Sequence, residues 1–528
     1  MASGSFAGKT QGQGPIMDRR KLLAGMAAAG LTLAGGGRLA AEEAASQPKK
    51  GGHLRVGLAA GSTTDSLDPG TYSDRFMQTV GWGGLSNSLT EVDALGAVVP
   101  DIAQSFESAD NARKWIFRLR KGIVFHDGRD LEPADVIASF RHHMKEGSKS
   151  SAWTLLTHIA DIKADGANVI FELKAGHADF PYIVGDYRLP IMPRSDTGDA
   201  DWQSGNRTGP FALDHIQYGI GARLKRNERY HREVWFDSVE VLAIQDTTAR
   251  LNALQTGEVD YIDRVDLKTL ALLKRNPAIA IDAVAGYGHY GFAMNVTRPP
   301  FDRPEVRRAL KLAIDRNDIL QKVLYGYGSV GNDNPIAPSV PFAVNPQPVH
   351  SYDPDQARHI LKSAGLDSLK LDLSTSETAF SGAVEAALLF KASAAAANID
   401  VNVVREANDG YWDNVWLKKD FCATYWAGRP TCDLALSYVY AADAPWNETS
   451  WRNPRFNELL ADARDETDAA VRARMYAEMQ QLIHDDGGFI NIMFNNYVTA
   501  HSTKLGHGPI APNYEVDGFR LYSRWWLK

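Results

Sequence analysis

The chain is a succession of short apolar runs separated by polar turns, and most of these runs fit one of two periods. Where apolar and polar residues alternate, successive side chains point to opposite faces, which is the pattern of a half-buried β-strand. Such runs predict strands at residues 53–58, 114–120, 169–173 and 401–404. Sheet is therefore expected from the first third of the chain to the last.

Other stretches repeat with the period of an α-helix. Pro133 follows Glu132 at the start of one such stretch, and proline suits the first turn of a helix because its missing N–H costs no hydrogen bond there. The same period predicts a helix over residues 303–323 and another over residues 468–484. Because strands and helices alternate along the chain, the predicted fold class is α/β.

Composition narrows the class of protein. The 528 residues are 44% hydrophobic and 23% charged, which is a globular composition with enough length for two or three domains. The net charge is −7 and no basic block occurs, so neither nucleic acid nor an anionic membrane is an expected partner. Beyond the first 50 residues there is no uninterrupted apolar run of about 18 residues, so no membrane-spanning helix is predicted.

Residues 1–45 have the composition of an export signal. Arg19-Arg20 precedes a run of Ala, Gly and Leu over residues 24–37, which is the order of charged and apolar regions in a signal peptide. The paired arginines and the weak hydrophobicity resemble a twin-arginine signal. Cleavage is expected between Ala40 and Ala45.

The position of the cysteines bears on where the mature protein resides. Cys422 and Cys432 are the only two in the chain and lie far from the cleavage region, so lipid anchoring is not expected. Met17 is an alternative start of the precursor. We expect the mature protein to be free in a bacterial periplasm. In that oxidising compartment the two cysteines are expected to form a disulfide, with two buried thiols as the alternative.

No constellation of catalytic, cofactor or metal-binding residues stands out. Two G-x-G-x-x-G matches, starting at Gly286 and Gly326, lack the strand before and the helix after that a dinucleotide site needs. His142-His143 has no accompanying ligands at the spacing of a zinc site. We therefore predict no cofactor, no metal site and no enzyme activity.

Four segments carry a further signal when they are taken in order. Residues 101–107 are Asp-Ile-Ala-Gln-Ser-Phe-Glu, and residues 115–136 are Trp-Ile-Phe-Arg-Leu-Arg-Lys-Gly-Ile-Val-Phe-His-Asp-Gly-Arg-Asp-Leu-Glu-Pro-Ala-Asp-Val. Residues 208–211 are Thr-Gly-Pro-Phe, and residues 250–260 are Arg-Leu-Asn-Ala-Leu-Gln-Thr-Gly-Glu-Val-Asp. In this order they resemble the peptide-type (family 5) solute-binding proteins of ABC importers, which include dipeptide, oligopeptide, nickel, glutathione and opine binders.

The resemblance implies a two-lobed periplasmic binding protein fold of type II, in its large subclass, with an extra small domain on lobe I. It places lobe I at residues 50–85, 210–296 and 500–528, the small domain at 86–209 and lobe II at 297–499. It also implies that the protein captures a small solute or peptide by hinge closure and delivers it to a membrane permease. A monomer is expected.

The same resemblance makes the loop from Trp426 to Asp433 a candidate for ligand binding. Peptide binders of the family carry an aspartate, which meets the amino group of the peptide, where this chain has Arg429. Because arginine offers a fork of donors suited to a carboxylate, we expect a short or modified peptide, glutathione or an opine-type conjugate. Asp433 is expected to meet an ammonium or hydroxyl group, or alternatively to pair with Arg429.

Five further residues are candidates for the cleft. Thr63 and Thr64 lie on the loop after the first predicted strand, which faces the cleft in the family. Tyr287, His289 and Tyr290 supply aromatic rings that could stack on a ligand or pack in the core. Two other functions stay open, namely a metal-chelate binder of the nickel type and a periplasmic enzyme or chaperone on the same scaffold.

Overall fold

The computed structural model describes residues 48–148, 150–444 and 446–528. The predicted export signal over residues 1–45, with its cleavage region and the alternative start at Met17, lies outside the described residues. None of the helices in the described ranges combines the length and the apolar character that a bilayer span requires.

The strands of the described residues form one large sheet and three small ones. They are β1 His53–Leu58, β2 Thr90–Val92, β3 Val98–Pro100, β4 Ala103–Ala109, β5 Lys114–Leu119, β6 Ile159–Asp165, β7 Asn168–Leu173, β8 Phe211–Gln217, β9 Gly221–Arg226, β10 Ser238–Ala243, β11 Tyr261–Ile262, β12 Ile279–Met294, β13 Gly328–Val330, β14 Leu369–Thr375, β15 Ile399–Arg405, β16 Phe421–Trp426, β17 Phe489–Ser502, β18 Leu505–His507 and β19 Trp525–Leu527. The four strands predicted from alternation are all present.

The helices alternate with these strands, which confirms the α/β class. They are α1 Arg75–Met77, α2 Pro133–Met144, α3 Trp153–Leu156, α4 Phe180–Ile183, α5 Thr247–Thr256, α6 Leu270–Leu273, α7 Pro304–Leu312, α8 Arg316–Val323, α9 Pro354–Ser363, α10 Ala383–Ala394, α11 Tyr411–Asn414, α12 Cys432–Val439, α13 Pro454–Asp465, α14 Ala469–Asp486, α15 Glu515–Gly518 and α16 Leu521–Arg524. Short 3-10 segments cover Pro69–Thr71, Leu267–Thr269 and Ala395–Ala397, and Gln78–Gly84 is π-helical.

Two long strands run through the large sheet and join its halves. The strand order is β15-β14-β16-β12-β17-β11-β1-β10-β9-β8, with β13 also pairing with β17. Strands β12 and β17 pair antiparallel, but their register shifts between Ala285 and His289. Before the shift β17 pairs with β11, and after it β12 pairs with β16. An irregularity of this kind locally interrupts and bends the ladder between two strands.

Local capping explains where two of the predicted helices begin. The carboxylate of Asp135 accepts a hydrogen bond of 2.8 Å from the backbone N–H of Glu132, and this capping box starts α2. The stretch predicted as one helix over residues 303–323 is two helices, α7 and α8. The chain breaks between them because Asp315 caps the second, accepting from the N–H of Asp318 at 3.0 Å.

Separate apolar clusters support the two halves of the large sheet. One gathers side chains of β1, β9 and β10 with those of residues 67–85 and the C-terminal segment. The other gathers side chains of α7, α8, α10, β14 and β16. The sheet β4-β5-β7-β6 packs with α2 around a third cluster. All described residues nevertheless belong to one compact unit, so the predicted boundaries of the lobes and the small domain stay predictions.

Candidate functional site

A pocket lies beside the register shift, between β12 and the segment that follows β16. It surrounds about 420 Å³ of space without protein atoms, although most of this space is too narrow for more than a water molecule. Its lining includes Tyr287, His289, Trp426, Arg429 and Tyr438. A peptide-sized solute would therefore enter only if the lining segments moved apart.

The lining segments meet at a glycine. A Cβ atom at position 428 would clash with both the side chain and the backbone of Tyr287. Only glycine lets the loop after β16 lie directly on β12 at this point. The loop thus brings Trp426 and Arg429 next to the register shift in the two long strands.

Aromatic rings form one wall of the pocket. The ring of Trp426 lies 6.1 Å from that of Trp446, and Trp446 lies 5.7 Å from Tyr438. Trp446 does not itself line the pocket, but it contacts both lining rings and is 40% exposed. Flat rings in this arrangement can stack on a planar or apolar part of a ligand.

A buried carboxylate holds Trp426 in place. Oε1 of Glu448 accepts a hydrogen bond of 2.8 Å from the indole of Trp426, and Oε2 accepts one of 2.6 Å from the indole of Trp416. Burial raises the pKa of the Glu448 carboxyl to about 7, although the two indole donors oppose the rise. Glu448 therefore titrates close to neutral pH, directly behind the aromatic wall.

Arg429 is the half-buried cation of the pocket. Its Nη1 atom donates to the carbonyls of Ala427 and Gly428, both at 3.2 Å, and its guanidinium lies 5.5 Å from the ring of Tyr438. Among the described residues no carboxylate lies within ion-pairing distance of Arg429. The side chain thus makes only weak local contacts and can accept an anionic partner at little cost.

A second arginine approaches the pocket from the segment after α4, and this one is neutralised. Arg188 donates to Asp186 through Nε at 2.7 Å and through Nη2 at 2.9 Å. Burial raises the pKa of the Asp186 carboxyl, but the charges of Arg188 and, further away, Arg429 outweigh it and leave that pKa lowered. No sequence motif pointed to this pair.

Asp433 does not face the pocket. Its carboxylate is 1% exposed and accepts a hydrogen bond of 2.8 Å from Nε of Arg464, with Nε2 of His177 at 3.5 Å. The alternative pairing with Arg429 is absent, and Asp433 does not belong to the lining of the pocket where a ligand contact was expected. The reason is that residue 433 lies in the first turn of α12, which directs its side chain toward α13.

The expected disulfide is also absent, because both cysteines are free thiols. Cys422 belongs to the apolar cluster around β14 and β16, whereas Cys432 begins α12 in a different cluster. Sγ of Cys432 donates to the carbonyl of Pro341 at 3.2 Å. Burial raises the pKa of both thiols, so they are held as neutral, unreactive groups. The prediction of a bridge was wrong because the fold places the two side chains, ten positions apart, in separate apolar clusters.

The aromatic residues of β12 divide between its two faces. Tyr287 and His289 line the pocket, and in the described residues the Tyr287 hydroxyl and both His289 ring nitrogens lack hydrogen-bond partners. Burial lowers the pKa of His289 to about 3, so its ring is neutral. Tyr290 instead stacks on Phe380 at 4.5 Å. The structure brings the first two residues to the site and leaves Tyr290 outside it.

Thr63 and Thr64 lie apart from these residues. They are exposed on the loop after β1, where the hydroxyl of Thr64 lies 2.8 Å from that of Ser62. Neither lines the pocket. Sequence reasoning, in turn, missed Glu448, Trp446 and Tyr438. The first two contact Trp426, Tyr438 contacts Trp446 and Arg429, and no local sequence pattern predicts these contacts.

Known proteins resemble the chain over most of its length. The profile of the bacterial extracellular solute-binding proteins, family 5 Middle, matches residues 97–448. The glutathione-binding protein GsiB of Escherichia coli (strain K12) is 26% identical over 476 residues, covering 85% of this chain and 91% of the relative. GsiB of Salmonella choleraesuis is 26% identical over 467 residues with the same coverage.

Solved structures share the architecture. HbpA2 from Haemophilus parasuis superposes with a TM-score of 0.79 at 21% identity, over 90% of this chain and 100% of the other. The binding protein AgaA of A. tumefaciens R10, in complex with agropinic acid, gives 0.73 at 22% identity, over 90% and 99%. These similarities confirm the predicted two-lobed type II fold.

Proposed function

The chain belongs to family 5 of the bacterial extracellular solute-binding proteins, and we propose that it captures a small peptide-like solute that carries a carboxylate, such as glutathione. The class of function is the one predicted, namely the substrate-binding component of an ABC importer. Proteins of this family bind solutes rather than transform them. The identity of the solute has to be inferred from the residues that line the pocket.

Arg429 is the observation that carries the proposal. It is the cation of the pocket without a carboxylate partner among the described residues, and its guanidinium lies 5.5 Å from the ring of Tyr438. A partly desolvated guanidinium favours an anion that accepts its hydrogen bonds. A carboxylate of the solute would supply the ion pair that the protein does not.

The neighbouring polar groups support a peptide. The Tyr287 hydroxyl and the neutral His289 ring can each donate or accept one hydrogen bond, and neither has a partner in the described residues. Uncharged groups of this kind suit the amide groups of a short peptide. Two relatives are named for binding glutathione, a tripeptide with two carboxylates, and they favour the same class of solute.

Capture is proposed to proceed by hinge closure at the register shift between β12 and β17. The pocket is narrow in this structure, so opening must precede entry of the solute. A register shift in these two paired strands would allow such opening while each half of the sheet keeps its own apolar cluster. We further propose that the protein is exported by the twin-arginine route to the periplasm, carries no lipid anchor and acts as a monomer.

Isothermal titration calorimetry with reduced glutathione tests the proposal, alongside agropinic acid, a lysyl-lysine dipeptide and nickel-histidine. Arg429→Gln should weaken glutathione binding by about 2–5 kcal/mol, because a buried charge pair would lose one partner. The matched control Arg452→Gln changes an exposed arginine outside the pocket and should bind as the wild type does.

Other outcomes would point to other functions. Binding of the dilysine peptide but of neither acidic solute would contradict the carboxylate proposal. Binding of nickel-histidine alone would favour the metal-chelate alternative. Mass spectrometry of the solute recovered after incubation should return it unchanged, and a chemically altered solute would favour the enzyme alternative.

A further inference from the structure

Three side chains that could bind a metal ion meet in the half of the sheet that precedes the register shift. They are Asp282 on β12, His501 on β17 and His507 on β18, and their nearest ligand atoms all lie within 4.8 Å of one another. Oδ2 of Asp282 lies 3.0 Å from Nε2 of His501 and 3.3 Å from Nε2 of His507. None of the three lines the pocket described above.

Hydrogen bonds to backbone carbonyls decide which ring nitrogens carry protons. Nδ1 of His501 lies 2.9 Å from the carbonyl of Ser502, and Nδ1 of His507 lies 2.7 Å from the carbonyl of Gly508. A carbonyl oxygen can only accept, so both Nδ1 atoms must donate. In the neutral rings the lone pairs are therefore on Nε2, pointing at the carboxylate. The same outer hydrogen bond typically orients histidines that bind metals.

With neutral rings, Nε2 of His501, Nε2 of His507 and Oδ2 of Asp282 all direct lone pairs toward the same point. His501 is only 2% exposed, and beyond their mutual contact neither its Nε2 atom nor Oδ2 of Asp282 has a hydrogen-bond partner among the described residues. Lone pairs and a carboxylate at this separation repel one another unless a positive charge lies between them. Two sources could supply that charge: protons on Nε2 of the imidazoles, which would make His501 and His507 ion-pair partners of Asp282, or a metal ion bound by all three groups.

We propose that Asp282, His501 and His507 bind a divalent first-row transition-metal ion, for which zinc is the best match. Zinc at about 2.0–2.1 Å from tetrahedral ligands separates those ligands by about 3.3 Å, close to the two distances observed. Two imidazoles and one carboxylate are ligands that zinc accepts. Asp282 and His507 are each about one-fifth exposed, with side-chain values of 23% and 22%, which leaves a fourth position open to water.

The surrounding residues hold the rings in position. The Trp525 ring stacks on His507 at 4.3 Å and lies edge-on to His501 at 4.9 Å. Its indole donates to Asp517 at 3.0 Å, so the tryptophan is itself fixed. A bound ion would tie β12, β17 and the small β18–β19 sheet together. It would stabilise this half of the protein without touching the solute pocket.

Zinc content and thermal unfolding of the purified chain test the proposal. After treatment with a chelator and dialysis against zinc chloride, elemental analysis should give one zinc per chain, and zinc should raise the melting temperature. His507→Gln and Asp282→Asn should reduce both effects to background, because each removes a ligand. His359→Gln replaces an exposed histidine on α9 and should behave as the wild type does.

Cobalt supplies a direct view of the ligands. Replacement of zinc by Co²⁺ should produce the visible absorption of a tetrahedral site in the wild type and in His359→Gln, but not in His507→Gln. If the wild type binds no zinc, or if His507→Gln and Asp282→Asn retain its zinc content and thermal shift, the proposal is wrong. Circular dichroism of each variant establishes that it is folded, and the readouts need no solute, so they do not depend on the proposed function.

Discussion

Replacing Asp433 by asparagine should destabilise the fold while leaving solute binding nearly unchanged. The substitution keeps the shape of the side chain and removes its charge. The carboxylate is 1% exposed and pairs with Nε of Arg464 at 2.8 Å, so the variant leaves a guanidinium without its partner. The consequence falls on the contact between α12 and α13 and not on the pocket.

The size of the loss follows from the burial of the two partners. Removing one member of a buried ion pair costs about 3–5 kcal/mol, because the remaining charge stays desolvated. The Arg464 side chain is 25% exposed, so water recovers part of its solvation and we expect the lower end, about 3 kcal/mol. Burial raises the pKa of Asp433, but Arg464 and His177 outweigh it and leave that pKa lowered.

The lowered pKa gives the prediction a pH dependence. A carboxyl whose pKa is lower in the folded state contributes stability above its ordinary pKa of 3.8, and that stability is lost as pH falls through the folded-state pKa. The difference between the wild type and Asp433→Asn should therefore be largest near neutral pH and shrink in acid. An effect independent of pH would mean that the charge of Asp433 is not its cause.

Urea denaturation followed by circular dichroism and by tryptophan fluorescence measures the free energy of unfolding, provided that the two probes coincide. Asp409→Asn, at an exposed aspartate, is the control and should change stability by less than about 0.5 kcal/mol. Calorimetry with glutathione gives the second readout. If Asp433→Asn keeps wild-type stability but loses affinity, Asp433 contacts the solute and the arrangement described above is incorrect.

Two further predictions concern buried groups near the pocket. Because the pKa of Glu448 is raised to about 7, its stabilising contribution is present below pH 4.5 and is lost as pH rises to about 7. The free energy of unfolding measured with urea should therefore fall over this pH range in the wild type, and Glu448→Gln should remove that part of the fall. The same dependence of stability on pH in both proteins would contradict this prediction. Cys422 and Cys432 should resist a thiol reagent in the native chain and both react after denaturation without reductant. If both cysteines stay unreactive after denaturation, they are joined by the disulfide predicted from the sequence.

Local patterns were enough to predict the class of fold and several of its elements. Alternation identified the strands, and Pro133 with its capping residues marked the start of α2, because both depend on neighbours within a few positions. The stretch predicted as one helix over residues 303–323 shows the limit of this reasoning. Its apolar period continues through both α7 and α8, and only the capping by Asp315 divides them.

The pairing of Trp426 with Glu448 had no signal in the sequence, because the indole and the carboxylate are 22 positions apart. Asp433 and Arg464 are 31 positions apart and meet only because α12 packs on α13. Likewise, no local pattern gave a reason to place Asp282 beside His501, since the two residues come together through the pairing of the distant strands β12 and β17.

Local periodicity thus predicted an α/β protein, and the resemblance of its ordered motifs to family 5 predicted a solute-binding protein with Arg429 at a candidate ligand position. Only the tertiary structure decides which charged side chains are paired and which lack a partner. Arg429 stays without a carboxylate partner in the described residues because Asp433, four positions on, is turned into the α12–α13 contact. An ion pair depends on distances of a few ångströms, and spacing along the sequence does not specify those distances once the chain turns.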